Sequence, residues 1–150
     1  MIEKNKIEEV VRGLIAGSDI FLVLVKVSAS NKIIIHIDKN SGITIDECAI
    51  LHRQIEQCFD RDEEDYELQV SSPGIDAHFV VIEQYIKNEG KKVEVLDNDG
   101  KKYTGLLKNI TSGGFELETE IKVKGKPKET VELSFNFDQI KYVKTVLIIK

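Results

Sequence analysis

The sequence has no tryptophan and few other aromatic residues, which limits the kind of core that it can build. Aromatic residues make up 7% of the 150 residues, and there are two prolines and two cysteines. A chain of this length can bury one moderate core or two small ones, so its packing must rest mainly on Ile, Val and Leu. No apolar run approaches the roughly 20 residues that a membrane-spanning helix needs, and residues 1–6 lack the apolar stretch of a signal peptide. We therefore expect a soluble, cytoplasmic protein without a membrane partner.

The two cysteines, Cys48 and Cys58, are too far apart to be bonded to each other. Both lie in one helical pattern, where a separation of ten residues corresponds to about 15 Å, whereas a disulfide requires Cα atoms within about 7 Å. Cys48 and His52 are spaced like two metal ligands on a helix, but a zinc site needs three or four converging ligands. We predict neither a metal nor a cofactor. The alternative, a metal-dependent hydrolase, would require stoichiometric zinc in the purified protein.

Arginine is absent from residues 86–150, although this segment carries thirteen lysines against ten acidic residues, a net charge of +3. Residues 1–85 carry sixteen acidic residues against eight basic ones, a net charge of −8. This reversal predicts two surfaces that meet different partners. It argues against a protein that grips nucleic acid along its whole length, because such a protein would be basic throughout. Without arginine, the second half also lacks the side chain best suited to bidentate phosphate recognition.

Hydrophobic spacing in residues 1–83 predicts an N-terminal α-β-β-α-β domain. Two β-branched runs, 20–27 and 32–37, have the length of strands. Thr44-Ile-Asp-Glu47 is a capping box that starts the second helix, and alternating polar and apolar residues from Tyr66 mark a third strand. The apolar residues of the first helix recur on one face: Ile7, Val10, Val11, Leu14 and Ile15. We expect both helices to pack on a small sheet.

Residues 84–150 change to short strands that are separated by tight turns. A short connecting helix at about 80–89 precedes them and ends at Gly90. Asp97-Asn-Asp-Gly100 is a strong hairpin signal, because Asp-Gly supplies the positive φ that such turns require. Five short strands joined in this way predict a small antiparallel barrel. The predicted fold is therefore α+β, with the two-layer domain at 1–83 and the barrel at 84–150.

The most specific signature is Val70-Ser-Ser-Pro-Gly-Ile-Asp76, at the end of the third predicted strand. Ser72-Pro-Gly-Ile75 suits a type II turn, because proline presets φ at the second position and glycine accepts the positive φ of the third. The G-x-S-x-G elbow of serine hydrolases is absent, as are the glycine patterns that cradle phosphates. We predict no catalytic residue, and we expect a rigid polar turn at the surface.

This signature resembles that of the bacterial ribosome maturation factor RimP family, and the likeness extends over the whole chain. Ile35-His-Ile-Asp38 and Gly42-Ile-Thr-Ile-Asp-Glu-Cys48 are similar to the family's strand, glycine turn and capped second helix. Weaker similarity continues in Gly90-Lys-Lys-Val93, Gly105-Leu-Leu107 and Phe137-Asp-Gln-Ile140. The resemblance implies an α/β N-terminal domain and an SH3-like (Sm-like) C-terminal barrel. It also implies a protein that is not an enzyme.

The resemblance further implies a non-catalytic assembly factor that binds the free small ribosomal subunit through a ribosomal protein and promotes its maturation. We expect small-subunit rRNA to take part in the contact as well. We expect it to act as a monomer. The alternative is an Sm-like RNA-binding regulator that uses the C-terminal barrel alone. Ring formation and affinity for naked single-stranded RNA would favour that alternative.

The expected partner-binding residues fall in the turn and in the second half of the chain. One departure affects them, since the family usually continues after its aspartate with a basic residue and proline, where this chain has Ala77 and His78. A protonated His78 would take over the basic contact. The residues expected to bind partners are Ser71, Ser72, Pro73, Gly74, Ile75, Asp76, His78, Lys91, Lys92, Lys101, Lys102, Asp138 and Gln139.

Overall fold

The protein, as a computed structural model, folds into two compact units, Met1–Pro73 and Gly74–Lys150. The structure describes residues 2–74 and 77–146. The first five elements follow the predicted α-β-β-α-β order, and the second unit contains five strands, so the α+β class is confirmed. In chain order the elements are α1 (Lys4–Ile15), β1 (Phe21–Val27), β2 (Lys32–Asp38), α2 (Ile45–Glu56), β3 (Glu67–Ser71), α3 (Ile82–Lys87), β4 (Lys92–Asp97), β5 (Lys102–Lys108), β6 (Gly114–Ile121), β7 (Glu129–Asn136) and β8 (Ile140–Thr145).

The first unit packs its helices against a three-stranded sheet of order β1-β2-β3. β1 and β2 are antiparallel, whereas β2 and β3 are parallel. The carboxyl ends of β2 and β3 therefore lie at the same end of the sheet, where α2 also begins. The core is almost wholly aliphatic, as the scarcity of aromatic residues requires. Its most deeply buried members are Ile7, Val11, Ile33, Ile35, Ile37 and Ile55.

The predicted capping box starts α2. The Thr44 hydroxyl accepts a hydrogen bond from the Glu47 N–H at 3.1 Å, and a Glu47 carboxylate oxygen accepts one from the Thr44 N–H at 3.1 Å. The backbone N–H groups of Thr44 and Glu47 are therefore each hydrogen-bonded to the side chain of the other residue. Below the cap, Cys48, Leu51 and Ile55 form the buried stripe.

The second unit is an antiparallel sheet of order β7-β6-β5-β4-β8. The predicted hairpin at Asp97–Gly100 joins β4 to β5, and Gly100 has the expected positive φ of +87°. A second core lies here, in which Val93, Val95 and Leu107 pack with Tyr85 and Phe115. Within the described residues no pairing joins β7 to β8, so the closed barrel stays a prediction.

Segment 77–89 contributes to the second unit. The Phe79 N–H donates to the Val143 carbonyl at 2.7 Å, and the Phe79 and Tyr85 rings meet edge to face with centroids 5.1 Å apart. Residues 77–83 were predicted to belong to the first domain. In the part of the chain that the structure describes, no helix combines the length and the apolar character needed to cross a bilayer.

Candidate functional site

The two motif-bearing strands of the first unit are neighbours. β2 and β3 pair so that His36 lies opposite Ser71 and Ile35 lies opposite Val70. Burial lowers the pKa of His36, and the nearby Lys26 lowers it further, which favours the neutral imidazole. Parallel pairing therefore brings Ile35–Asp38 and Val70–Ser72, which are distant in sequence, to the same end of the sheet.

A groove of about 500 Å³ opens at this end of the sheet, between the first turns of α2 and the carboxyl end of β3. Its walls include Ile43, Ile45, Cys48, Val70 and Ser72. Ile45, the first residue of α2, is 87% exposed, although most of its neighbours along the buried stripe are covered. Burial raises the pKa of the Cys48 thiol, helped by Glu47 and Asp38, so the thiol is uncharged and acts as a small apolar surface.

His52 connects α2 to the edge strand β3 beside this groove. Its Nε2 lies 3.0 Å from the Leu68 carbonyl oxygen, and its Nδ1 lies 2.9 Å from a Glu56 carboxylate oxygen. Both contacts are hydrogen bonds only when the ring carries two protons, because both neighbours are acceptors. The described residues include no group of three or more His, Cys, Asp or Glu that could hold a metal ion.

The predicted turn is only partly described. Ser71 ends β3 and is half-buried, Ser72 and Gly74 are exposed, and Pro73 is half-buried. Ile75 and Asp76 lie outside the described residues, so the type II turn, which needs Ile75, stays a prediction. The Gly74 carbonyl accepts a hydrogen bond from the Ala77 N–H at 3.0 Å.

His78 lies on the second unit and stacks on Tyr142. The two ring centroids are 4.2 Å apart and the planes differ by 16°. The Tyr142 hydroxyl donates to a Glu94 carboxylate oxygen at 2.7 Å, which lowers the pKa of Glu94 and raises that of Tyr142. His78 is therefore held against an aromatic ring whose hydroxyl group is hydrogen-bonded to a carboxylate.

The structure brings the turn that contains Asp138 and Gln139 to the hairpin that precedes Lys101 and Lys102. Asp138 and Gln139 lie in a single 3-10 turn, Phe137–Gln139, whose backbone is bound by Asn98. The Asn98 side-chain amide donates to the Asp138 carbonyl at 2.7 Å, and its N–H donates to the Gln139 carbonyl at 3.0 Å. Since Asn98 belongs to the β4–β5 hairpin, the exposed Lys101 and Lys102 follow in the same region.

The remaining pair, Lys91 and Lys92, lies elsewhere on the second unit. Lys92 begins β4, whereas the hairpin with Lys101 follows the end of that strand. All four lysines are exposed. The predicted basic residues thus form two separate patches, one at each end of β4.

Three residues that shape these surfaces were not among the predicted binding residues: Ile45, Asn98 and Glu94. Ile45 carries a local signal, an apolar residue directly after the capping threonine and one turn before the buried stripe. The contacts of Asn98 and Glu94 join residues 40 and 48 positions apart, and no spacing rule along the chain reveals such pairs.

Comparison with known proteins supports the resemblance. Residues 7–76 match the family model described as the RimP N-terminal domain. A protein of Porphyromonas gingivalis named ribosome maturation factor RimP is 35% identical over 146 residues, which cover 94% of this chain and 96% of the relative. The protein of the same name from Flavobacterium psychrophilum is 32% identical over 135 residues, with 87% of each chain covered. A third relative of that name, from Cytophaga hutchinsonii, is 29% identical over 139 residues and 83% of each chain.

Proposed function

The chain belongs to the RimP family of ribosome maturation factors, and from this premise we propose that it binds the free small ribosomal subunit and promotes its maturation without catalysing a reaction. The observation that carries the proposal is similarity to a named ribosome maturation factor over 94% of the chain. The proposed place of action is the cytoplasm, and the proposed active form is a monomer. Binding would favour one arrangement of an immature subunit over others, because a ligand shifts an equilibrium toward the state that it binds more tightly.

The two units would meet different parts of the subunit. The acidic first unit suits a basic ribosomal protein, and the lysines of the second unit suit a surface made of a ribosomal protein and rRNA. For the second unit we propose an SH3-like barrel. Its strand order supports this proposal, since β8 returns beside β4 after the β4-to-β7 meander.

For the second unit, the proposed contact surface combines Lys101 and Lys102 with the turn at Asp138 and Gln139. The hydrogen bonds from Asn98 hold the two segments together, so this surface is ordered before a partner arrives. Preordering reduces the entropy that is lost on binding. His78 would contribute a basic contact when it is protonated.

Sedimentation with purified small subunits tests the proposal. The full chain should sediment with free small subunits, whereas a chain without residues 74–150 should not. Binding should weaken with salt at a modest slope of about two to four ions, because few lysines are clustered. An equal titration with a single-stranded RNA oligonucleotide provides the comparison. Tight binding to the oligonucleotide without subunit association would instead establish an Sm-like RNA-binding regulator.

A further inference from the structure

The outer edge of β3 is open to hydrogen bonding. The Glu67 N–H donates toward β2, to the Asn31 carbonyl at 3.0 Å. Because backbone groups in a strand alternate between its two edges, Leu68 and Val70 direct theirs away from β2. The Leu68 carbonyl accepts from His52, and among the described residues no hydrogen bond to a neighbour uses the Leu68 N–H or either backbone group of Val70. This edge therefore offers two donors and one acceptor.

The groove described above lies beside these free groups. Val70 is both an edge residue and a wall of the groove, opposite the exposed side chain of Ile45. A chain that pairs with an edge strand in extended form presents alternate side chains to one face. One apolar side chain of such a chain would enter the groove and cover Ile45, which is left in solvent otherwise.

The amino-terminal end of β3, at the opposite end of the strand from the groove, is acidic. The loop 60–65 is separated from the strand by Tyr66 alone and contains five acidic residues and one arginine. Arg61 pairs with Glu56 and lies 4.0 Å from Asp65. In the described part of the chain, Asp60, Asp62 and Glu63 are exposed and take part in no ion pair. A partner lying along β3 would therefore find negative charge at one end and, at the other, a groove whose walls combine apolar side chains with polar ones, among them His52 and Arg53.

We propose that this edge binds an extended, basic segment of another protein by strand addition, with an apolar side chain in the groove and Lys or Arg toward the loop 60–65. The inference rests on the proposed function, since the partner segment would belong to a ribosomal protein. Free N–H and C=O groups match a polypeptide backbone, whereas the acidic loop repels RNA phosphates. It would also repel the identical loop of a second copy.

A peptide titration followed by amide NMR tests the edge directly. The probe is a peptide of about eight residues with alternating Lys and Val, a length that matches a short strand, and its counterpart carries Glu in place of Lys. The lysine peptide should shift the Leu68 and Val70 amides more than those of Glu67 and Gln69, which face β2. The glutamate peptide should leave them unchanged. Equal shifts with both peptides, or shifts that avoid the edge, would overturn the proposal.

A matched pair of variants tests the groove. Ile45→Ser removes the groove wall and should weaken binding of the lysine peptide about tenfold, the expected effect of losing much of one buried side chain. Ile50→Ser is the control, since Ile50 is on the same helix, is 49% exposed and does not line the groove. It should change affinity less than twofold. Equal loss in the two variants would remove the groove from the proposal.

A second pair of variants tests the role of the acidic charge. Asp62→Asn with Glu63→Gln should weaken peptide binding and reduce its dependence on salt. Glu9→Gln with Asp19→Asn is the control, because it removes the same charge on and after α1, which packs at β1. If the control weakens binding equally, net charge rather than this edge attracts the peptide.

Sedimentation with small subunits separates this inference from the function on which it rests. If the full chain sediments with subunits and Ile45→Ser binds as tightly as it does, the edge proposal is wrong while the proposed function stands. If the full chain does not sediment, the proposed function itself is wrong. Concentration-dependent shifts at Leu68 and Val70 without peptide would assign the edge to a second copy, and equal shifts with an RNA oligonucleotide would assign it to RNA.

Discussion

Gly105 and Gly114 occupy positions in the second sheet where a side chain has no room. Both are buried in strands, and a Cβ added to either would overlap a backbone carbonyl of the neighbouring strand, that of Glu118 or Phe135. Neither glycine is needed for a positive φ. Close approach of the strands therefore explains why glycine is found at these two positions.

Gly105→Ala should destabilise the second unit by about 1–3 kcal/mol, since a methyl group forced into a packed region displaces backbone. Gly113→Ala is the control, because nothing lies within 4 Å of the Cβ that it would add. Chemical denaturation of both variants measures the free energy of unfolding. Equal stabilities would show that β5 and β6 can separate to admit the methyl group.

Tyr85 gives the second core a pH dependence. Burial raises its pKa from the ordinary 10 to about 12, so the folded protein holds the phenol proton more tightly than the unfolded chain does. Its contribution to stability is complete below pH 10 and is lost as the pH rises toward 12. Over this interval the free energy of unfolding of the natural protein should fall by about 1–2 kcal/mol relative to that of Tyr85→Phe. Unfolding curves of the two proteins that stay parallel from below pH 10 upward would contradict the prediction.

Among the elements, α2 is the one that positions the groove, and its capping box determines where it begins. Thr44→Ala removes the acceptor of the Glu47 N–H and should cost about 1 kcal/mol in the free energy of unfolding. Thr44→Ser keeps a hydroxyl at the cap and should retain most of this stability. Thermal unfolding of both variants provides the measurement. A similar loss in the serine variant would assign the effect to the threonine methyl group instead of the hydrogen bond.

At the scale of the whole molecule, the two hydrophobic cores predict that the units fold separately. A fragment of residues 1–73 and a fragment of residues 74–150 should each give dispersed amide spectra. A fragment of residues 90–150 should be less stable than 74–150, because it lacks Phe79 and Tyr85, which pack in the second core. Equal stability of these two C-terminal fragments would show that segment 77–89 only connects the units.

Local patterns allowed much of this fold to be predicted. The α-β-β-α-β order, the capping box at Thr44 and the hairpin at Asp97–Gly100 all depend on residues within a few positions of one another. Side-chain periodicity and turn chemistry act over that range, so these features are determined by the sequence alone. The similarity of motifs also led directly to the family.

The proposed functional surfaces depend on contacts between distant residues. Only the parallel pairing of β2 with β3 brings His36 beside Ser71 and leaves the outer edge of Val70 open. The stacking of His78 on Tyr142 and the binding of the 3-10 turn by Asn98 likewise join separate parts of the second unit. Strand order, sheet edges and grooves arise when the whole core packs, and the free energy of that packing is shared among many residues, so no short pattern in the sequence records it.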